Sequence, residues 1–323
     1  MSVLGLDFGN GFTKSSKNDV IFKSSYMSGF DSDLNKNAIK VELNGEKFTV
    51  GVERDKGRVD VNVNTRYDSK LHEICALTAI ALSFEQNDIK TAIVAGVPAD
   101  NYDALKASLR KQILSYSNRS IKITMGNKTI TKFISISNVL IMPQSAVVFL
   151  NPDKYRNSTN FVLDIGGGTA IASIWRGLKL FKARTIGNGG MLRLYTAIAQ
   201  NLNKLLVSDY NSQTIQHVLD TKEIKDGGGN KFKIDEDFKI KRIIESTIED
   251  HVAHIVSNTE EVLGLEPIQA DIQTLMGGGA LSDLIKPGLK KYYKDLEVID
   301  CPQFANAMVY ESVGKAQNLD LVL

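Results

Sequence analysis

Val3-Leu4-Gly5-Leu6-Asp7-Phe8-Gly9-Asn10-Gly11-Phe12-Thr13 is an apolar run that ends in an acid and a glycine turn. About half the chain later the pattern returns as Phe161-Val162-Leu163-Asp164-Ile165-Gly166-Gly167-Gly168-Thr169. Each copy holds an apolar run, an Asp, one apolar residue, a Gly-x-Gly turn and a Thr at or just after it. The run reads as a strand that the glycines end in a tight turn. A repeat at half-chain spacing predicts two similar halves, each opening on the same strand–turn unit. The polar stretch Asn151 to Asn160 would link them.

The rest of the chain agrees with alternating α/β structure. Strands are predicted at Val3–Phe8, Val20–Phe22, Ile39–Leu43, Lys47–Val50, Thr91–Val97, Ile121–Met125 and Lys128–Ile136. In the second half they are predicted at Phe161–Ile165, Ala170–Trp175, Leu178–Thr185, Thr274–Met276 and Leu296–Ile299. Helices are predicted over Lys70–Glu85, Asp100–Leu114, Gln144–Leu150, Met191–Leu206, Ser212–Asp220, Phe238–Leu263 and Gln303–Gln317. Lys225–Lys233, with its three glycines, reads as a mobile turn.

With 323 residues, either half is long enough to bury its own core. The 39 basic residues nearly balance 37 acidic ones, which argues against a nucleic-acid binder acting through bulk charge. Two distant cysteines, Cys75 and Cys301, fit a reducing compartment rather than a disulfide scaffold. The N-terminus reaches Asp7 with no basic region before it, unlike a signal peptide. The most apolar window, Ile74 to Phe84, is about half the ~20 residues a membrane span needs. The expectation is a soluble cytoplasmic protein.

A glycine turn lets backbone N–H groups converge on an anion. A carboxylate beside it repels a phosphate unless Mg²⁺ sits between them, usually through waters. Two such turns facing each other would clamp a polyphosphate, and Lys14 would add a point charge. A single Asp-x-Gly-x-Gly is a commonplace turn; its duplication favours a phosphate site. There is no Gly-x-x-x-x-Gly-Lys-Ser/Thr, and Lys14 stands where a dinucleotide fingerprint needs its third glycine. Gly277-Gly278-Gly279-Ala280 follows another apolar strand and would admit a flat ring or ribose; the plainer reading is a strand-to-helix turn. Gly187-Asn188-Gly189-Gly190 precedes the helix at Met191, whose N-terminus suits anions.

These residues together resemble the ATPase superfamily that joins actin, the heat-shock chaperone ATPases and the sugar kinases. Asp7-x-Gly9-x-Gly11-x-x-Lys14 is similar to its first phosphate loop, Asp164-x-Gly166-Gly167-Gly168-Thr169 to the second and Gly277-Gly278-Gly279 to the adenosine loop. Within it, the length, Pro143-Gln144 and the helix opening Pro302-Gln303-Phe304-Ala305-Asn306-Ala307 resemble the ParM/StbA-type plasmid-segregation actins and their archaeal relatives. The resemblance implies an actin-like fold, two RNase-H-like α/β domains flanking a nucleotide cleft. Domain I would span 1–157 with the C-terminal helix 303–323 packing back on it, and domain II 158–302. Smaller subdomains would be inserted near Lys23–Ile89 and Asn201–Ile268.

The implied cofactors are ATP/ADP and Mg²⁺. Gly9, Asn10, Gly11, Phe12, Thr13, Lys14, Gly166, Gly167, Gly168, Thr169, Gly187, Gly189, Gly277, Gly278, Gly279 and Ala280 would bind nucleotide. Asp7 and Asp164 would organise Mg²⁺ through water, with Asp164 helping to polarise the attacking water. Gln144 occupies the connector that in this superfamily positions that water, at the start of the predicted helix. A neutral amide orients water without taking its proton, so turnover would be slow.

Other features read as structural. His251 and His254 would lie on a solvated helix face, and His72 and Cys75 likewise. The charges from Lys225 to Arg242 alternate in sign and read as a solvated surface. Trp175 is expected in the second sheet. His217 and Asp220 lie on a helix that edges the adenosine pocket in relatives, though no local motif marks them.

The leading functional expectation is an ATPase that polymerises head to tail and disassembles after hydrolysis, reaching plasmid DNA through a ParR-like adaptor at a centromere-like site. Neither direct nucleic-acid binding nor membrane contact is expected. The alternative is a small-molecule kinase of the same superfamily, which would need a carboxylate base that the Gln144 connector lacks. A chaperone-like ATPase would need a peptide-binding appendage after Gln303.

Overall fold

The structure, a computed structural model, describes residues 2–30, 39–53, 57–58, 66–126 and 128–319. The chain forms two compact units, one running up to Asn157 and resuming at Phe304, the other Ser158–Gln303.

The first unit is built on strand β1 (Ser2–Phe8), buried from Val3 onward, which is why it reads as an apolar run up to the buried Asp7. It turns through Gly9–Gly11 into the antiparallel β2 (Phe12–Ser15), beside which lies β3 (Ile21–Lys23). Strands β4 (Tyr26–Ser28), β5 (Ile39–Leu43) and β6 (Glu46–Val50) precede helix α1 (Lys70–Leu82). The Ser69 hydroxyl caps α1 by accepting from the His72 amide at 3.3 Å. Then come β7 (Asp88–Val97), α2 (Tyr102–Ser115), β8 (Arg119–Met125), β9 (Lys128–Pro143) and α3 (Pro152–Tyr155). The nine strands form one sheet in the order β3-β2-β1-β7-β9-β8-β5-β6-β4, with β1, β7 and β9 parallel.

The second unit runs β10 (Thr159–Ile165), β11 (Thr169–Arg176), β12 (Lys179–Gly187), α4 (Met191–Leu206) and α5 (Ser212–Thr221). A hairpin of β13 (Glu223–Lys225) and β14 (Lys231–Lys233) precedes the long α6 (Phe238–Leu263). Short helices α7 (Glu266–Gln269) and α8 (Lys286–Tyr292) flank β15 (Ile272–Met276), and β16 (Leu296–Val298) closes the sheet. Its order, β12-β11-β10-β15-β16, repeats β3-β2-β1-β7-β9 with the same strand directions. Helix α4 buries Met191, Leu194, Ile198, Leu202 and Leu206, a helical stripe legible in the sequence.

Helix α9 (Ala305–Ala316) belongs to the first unit and lies on β1 and β7. The approach is close: a Cβ on Gly5 would stand 1.9 Å from the Ala307 carbonyl oxygen.

Several expectations need correction. No α-helix covers Gln144–Leu150; Ser145 is left-handed (φ 64°), and only a 3₁₀ turn forms at Val147–Phe149. The expected linker contains α3 and the start of β10. The expected mobile turn at Lys225–Lys233 is the β13–β14 hairpin. Strand β9 runs past Ser137-Asn138, because a register shift opposite Thr91/Ala92 absorbs the polar residues. Within the region 23–89, β4, β5 and β6 join the main sheet through β8. Among the described residues no helix is long and apolar enough to cross a membrane.

Candidate functional site

In the first unit the glycine turn Gly9–Gly11 leaves the carboxyl end of β1. Phe12, Thr13 and Lys14, expected in the loop, start β2 instead. Asp7 and Lys14 are therefore directly opposite across the hairpin, and the Lys14 ammonium donates to Asp7 Oδ2 at 2.9 Å, both side chains being buried. Ser24 braces the turn: its hydroxyl donates to the Gly9 carbonyl at 2.8 Å and lies 2.9 Å from Thr13 Oγ1. Asn10 is half-buried and Gly11 buried.

Gln144 is also in this unit, just past the carboxyl end of β9, and its amide donates to the Val97 carbonyl at 2.8 Å. β1, β7 and β9 are parallel neighbours, so Asp7, Gly9–Gly11 and Gln144 share one edge of the sheet. Loops at the carboxyl ends of strands are where α/β sheets bind ligands. Adjacent strands are ~4.8 Å apart, which puts the β1 and β9 ends roughly 10 Å apart.

In the second unit the turn Gly166–Gly168 joins β10 to β11, with Thr169 opening β11. The Gly166 and Gly167 carbonyls accept from the Met191 and Leu192 amides at 3.0 and 2.9 Å. The first amides of α4 are thus spent on bracing the glycine loop. The Met191 and Leu192 amides beside Gly187 and Gly189 therefore already have backbone acceptors. The Gly187 carbonyl is 2.8 Å from His254 Nε2, and Gly189 is buried.

Asp164 is buried, and Ile171 stands opposite it across the hairpin. β15 runs parallel to β10 with Met276 beside Asp164, so Gly277–Gly279 lies next to the acid. A Cβ on Gly277 would be 2.4 Å from Asp164 Oδ1, and its φ of 84° is left-handed, so glycine is required there twice over. Nothing lies within 4 Å of a Cβ built on Gly278, whose Cα faces open space. Gly278 and Gly279 enter a 3₁₀ turn with the buried Ala280. Tyr195 on α4 is absent from the sequence-derived set. Burial raises the pKa of its hydroxyl, the Asp220 charge raises it further, and the nearby Ser282 acts in the opposite direction. This places Asp220 of α5 near Tyr195, with Ser282 just past the third glycine loop; His217 is exposed.

The histidine readings are corrected. His251 is buried, and desolvation first, then His254, lowers its pKa to about 4. Helical spacing puts it in line with the buried Ile244, Thr247 and Ile255, a signal the sequence carries. His72 is buried with its ring 4.3 Å from Phe8 and Nδ1 2.9 Å from the Tyr116 hydroxyl; Cys75 is buried as well. Trp175 is buried in β11, as expected.

Residues 5–146 match the family model of the N-terminal domain of actin-like proteins. A 15-stranded ParM filament from Clostridium botulinum superposes with a TM-score of 0.78 at 20% identity, over 98% of this chain and 100% of that one. The chain has the actin-like fold. An archaeal actin homologue in complex with ADP superposes with a TM-score of 0.75 at 20% identity, over 98% and 100% of the two chains. Bacillus thuringiensis ParM with AMPPNP gives 0.69 at 14% identity, over 100% and 99%. No curated protein sequence matches the chain. The resemblance drawn from the glycine loops is borne out at the level of the actin-like fold, with ParM proteins among its structural neighbours.

Proposed function

We propose that this chain is an ATPase that assembles head to tail in its ATP state and disassembles after hydrolysis. The observation that carries the reading is the repeated acid–glycine hairpin at the same place in two five-strand runs of the same order, β3-β2-β1-β7-β9 and β12-β11-β10-β15-β16. Among the structural neighbours one is a ParM filament, one an ADP complex and one an AMPPNP complex, which supports nucleotide-dependent assembly. A head-to-tail contact that does not close on itself yields an open polymer.

Lys14 and the amides of Gly9–Gly11 would meet the phosphates from the first hairpin, and those of Gly166–Gly168 from the second. Gly277–Gly279, with Gly278 facing open space, would admit the nucleoside. Asp7 and Asp164 are each a buried carboxylate beside a glycine turn, the hard-oxygen chemistry that Mg²⁺ takes, and each would hold it largely through waters. Bound Mg²⁺ would neutralise phosphate charge. Gln144, at the carboxyl edge of the first sheet, would orient the attacking water, and Asp164 would polarise it. The protein would act in the cytoplasm and reach plasmid DNA through a ParR-like adaptor, in keeping with its near-neutral charge.

Light scattering with ATP and no acceptor substrate, read beside phosphate release, tests the proposal. Prompt scattering that reverses as ATP is spent is expected. Gln144→Ala should bind ATP normally and release phosphate about tenfold more slowly, as for loss of a positioning group. No polymer, with phosphate passed to a metabolite, would overturn the reading in favour of a small-molecule kinase.

A further inference from the structure

Gln144 is fixed from both sides along the backbone. On one side its own amide donates to the Val97 carbonyl, extending the β7–β9 ladder past Pro143. On the other side stands Ser145, fully buried and left-handed at φ 64°, a conformation that a non-glycine residue holds only where its surroundings impose it. The Ser145 hydroxyl is also buried without a hydrogen-bond partner among the described residues. Both features work against stability. Such costs at a turn next to a candidate reactive group point to a functional constraint.

The constraint has a visible source. The Ser145 amide donates to Asn306 Oδ1 at 3.1 Å, a buried bond between residues 161 positions apart in sequence. Asn306 is itself buried, on the first turn of α9. That helix cannot drift from the sheet easily, because it sits against the bare backbone of Gly5. The 3₁₀ turn Val147–Phe149 also packs on α9. A terminal helix thus holds the one amide whose direction sets the turn immediately after Gln144.

We infer that Asn306 is a positioning residue for Gln144, acting through the Ser145 amide and the left-handed turn it maintains. The inference rests on the hydrolytic role proposed for Gln144. Losing the acceptor lets the turn relax toward ordinary backbone angles and swings the Gln144 amide off line. Nucleotide contacts made by the glycine loops are untouched.

The test measures ATP turnover and nucleotide affinity for the full chain, Gln144→Ala, Asn306→Leu, Asn306→Asp and the double variant Gln144→Ala/Asn306→Leu. Asn306→Leu should lower kcat about tenfold, since small misplacements of reacting groups cost this much or more, with KM within about twofold. Asn306→Asp retains an acceptor oxygen and should recover most of the rate. The double variant should be no slower than Gln144→Ala alone, because both changes remove one function. Turnover at the parent rate in Asn306→Leu, or effects that multiply in the double variant, overturns the inference while leaving the ATPase reading in place. A parent chain that releases no phosphate removes that reading and the inference with it, whereas Gln144→Ala at full rate removes the hydrolytic role of Gln144, and so the inference, while the ATPase reading stands. Should Asn306→Leu not fold, Asn306→Ser, which shortens the acceptor, carries the same comparison.

Discussion

The hairpin around Gly9–Gly11 and the hairpin around Gly166–Gly168 share strand order, direction and turn length, yet they are held by different means. In the first, a lysine opposite the acid pairs with it, and Ser24 braces the turn. In the second, an isoleucine stands opposite the acid, and the first amides of α4 brace the turn. Each hairpin has a buried histidine behind it, His72 against Phe8 and His251 near Gly189. The same backbone device therefore carries a cation on one side and only dipoles on the other. Electrostatic duties can diverge while sheet topology does not.

The comparison breaks most severely at Gly5, whose counterpart two residues before the second acid is the buried Val162. Gly5→Val should cost more than about 4 kcal/mol or prevent folding, because its Cβ meets the Ala307 carbonyl at 1.9 Å. Thermal melting checks this; an unchanged Tm would mean that α9 does not dock at Gly5.

The next effect tests the ion pair. Asp7→Ala should destabilise by about 3 kcal/mol, because it strands a buried ammonium. Adding Lys14→Met should recover more than half of the loss, since no uncompensated charge then remains. Denaturant titration of both variants measures it. An equal loss in the single and double variants would show that Asp7 supports the first hairpin by something other than its charge.

The smallest effect is acidic and belongs to the second unit. The folded pKa of His251, about 4, lies below the ordinary histidine value of 6.5, so the unfolded chain takes up the proton first as pH falls. This contribution to stability is fully present above about pH 7 and declines as pH drops toward 4, amounting to about 2 kcal/mol by pH 5. His251→Gln should flatten that slope in denaturant midpoints measured from pH 7 to 5. The same slope in parent and variant would locate the acid sensitivity elsewhere.

Most secondary elements are legible because their causes are local. Met191–Leu206 and Phe238–Leu263 carry complete helical stripes, and both helices begin and end where the sequence reading puts them. Gln144–Leu150 fails because a left-handed serine is imposed by Asn306, from the far end of the chain. The placement of His251 was available in the helical period but masked by its polarity. Spacing alone could not show that the α4 amides serve the Gly166–Gly168 carbonyls, because that bond joins segments separated by β11 and β12.

By itself the sequence determined the acid–glycine repeat, the apolar strands before it and the amphipathic helices. These depend on residue type and short-range periodicity. Only the tertiary structure decided which residues meet: Lys14 across from Asp7, Gly277 against Asp164, α9 on Gly5, Asn306 on Ser145. The physical reason is that turns and strand pairing bring distant side chains within hydrogen-bond reach, where burial makes each polar contact count. No local pattern encodes which distant partner arrives.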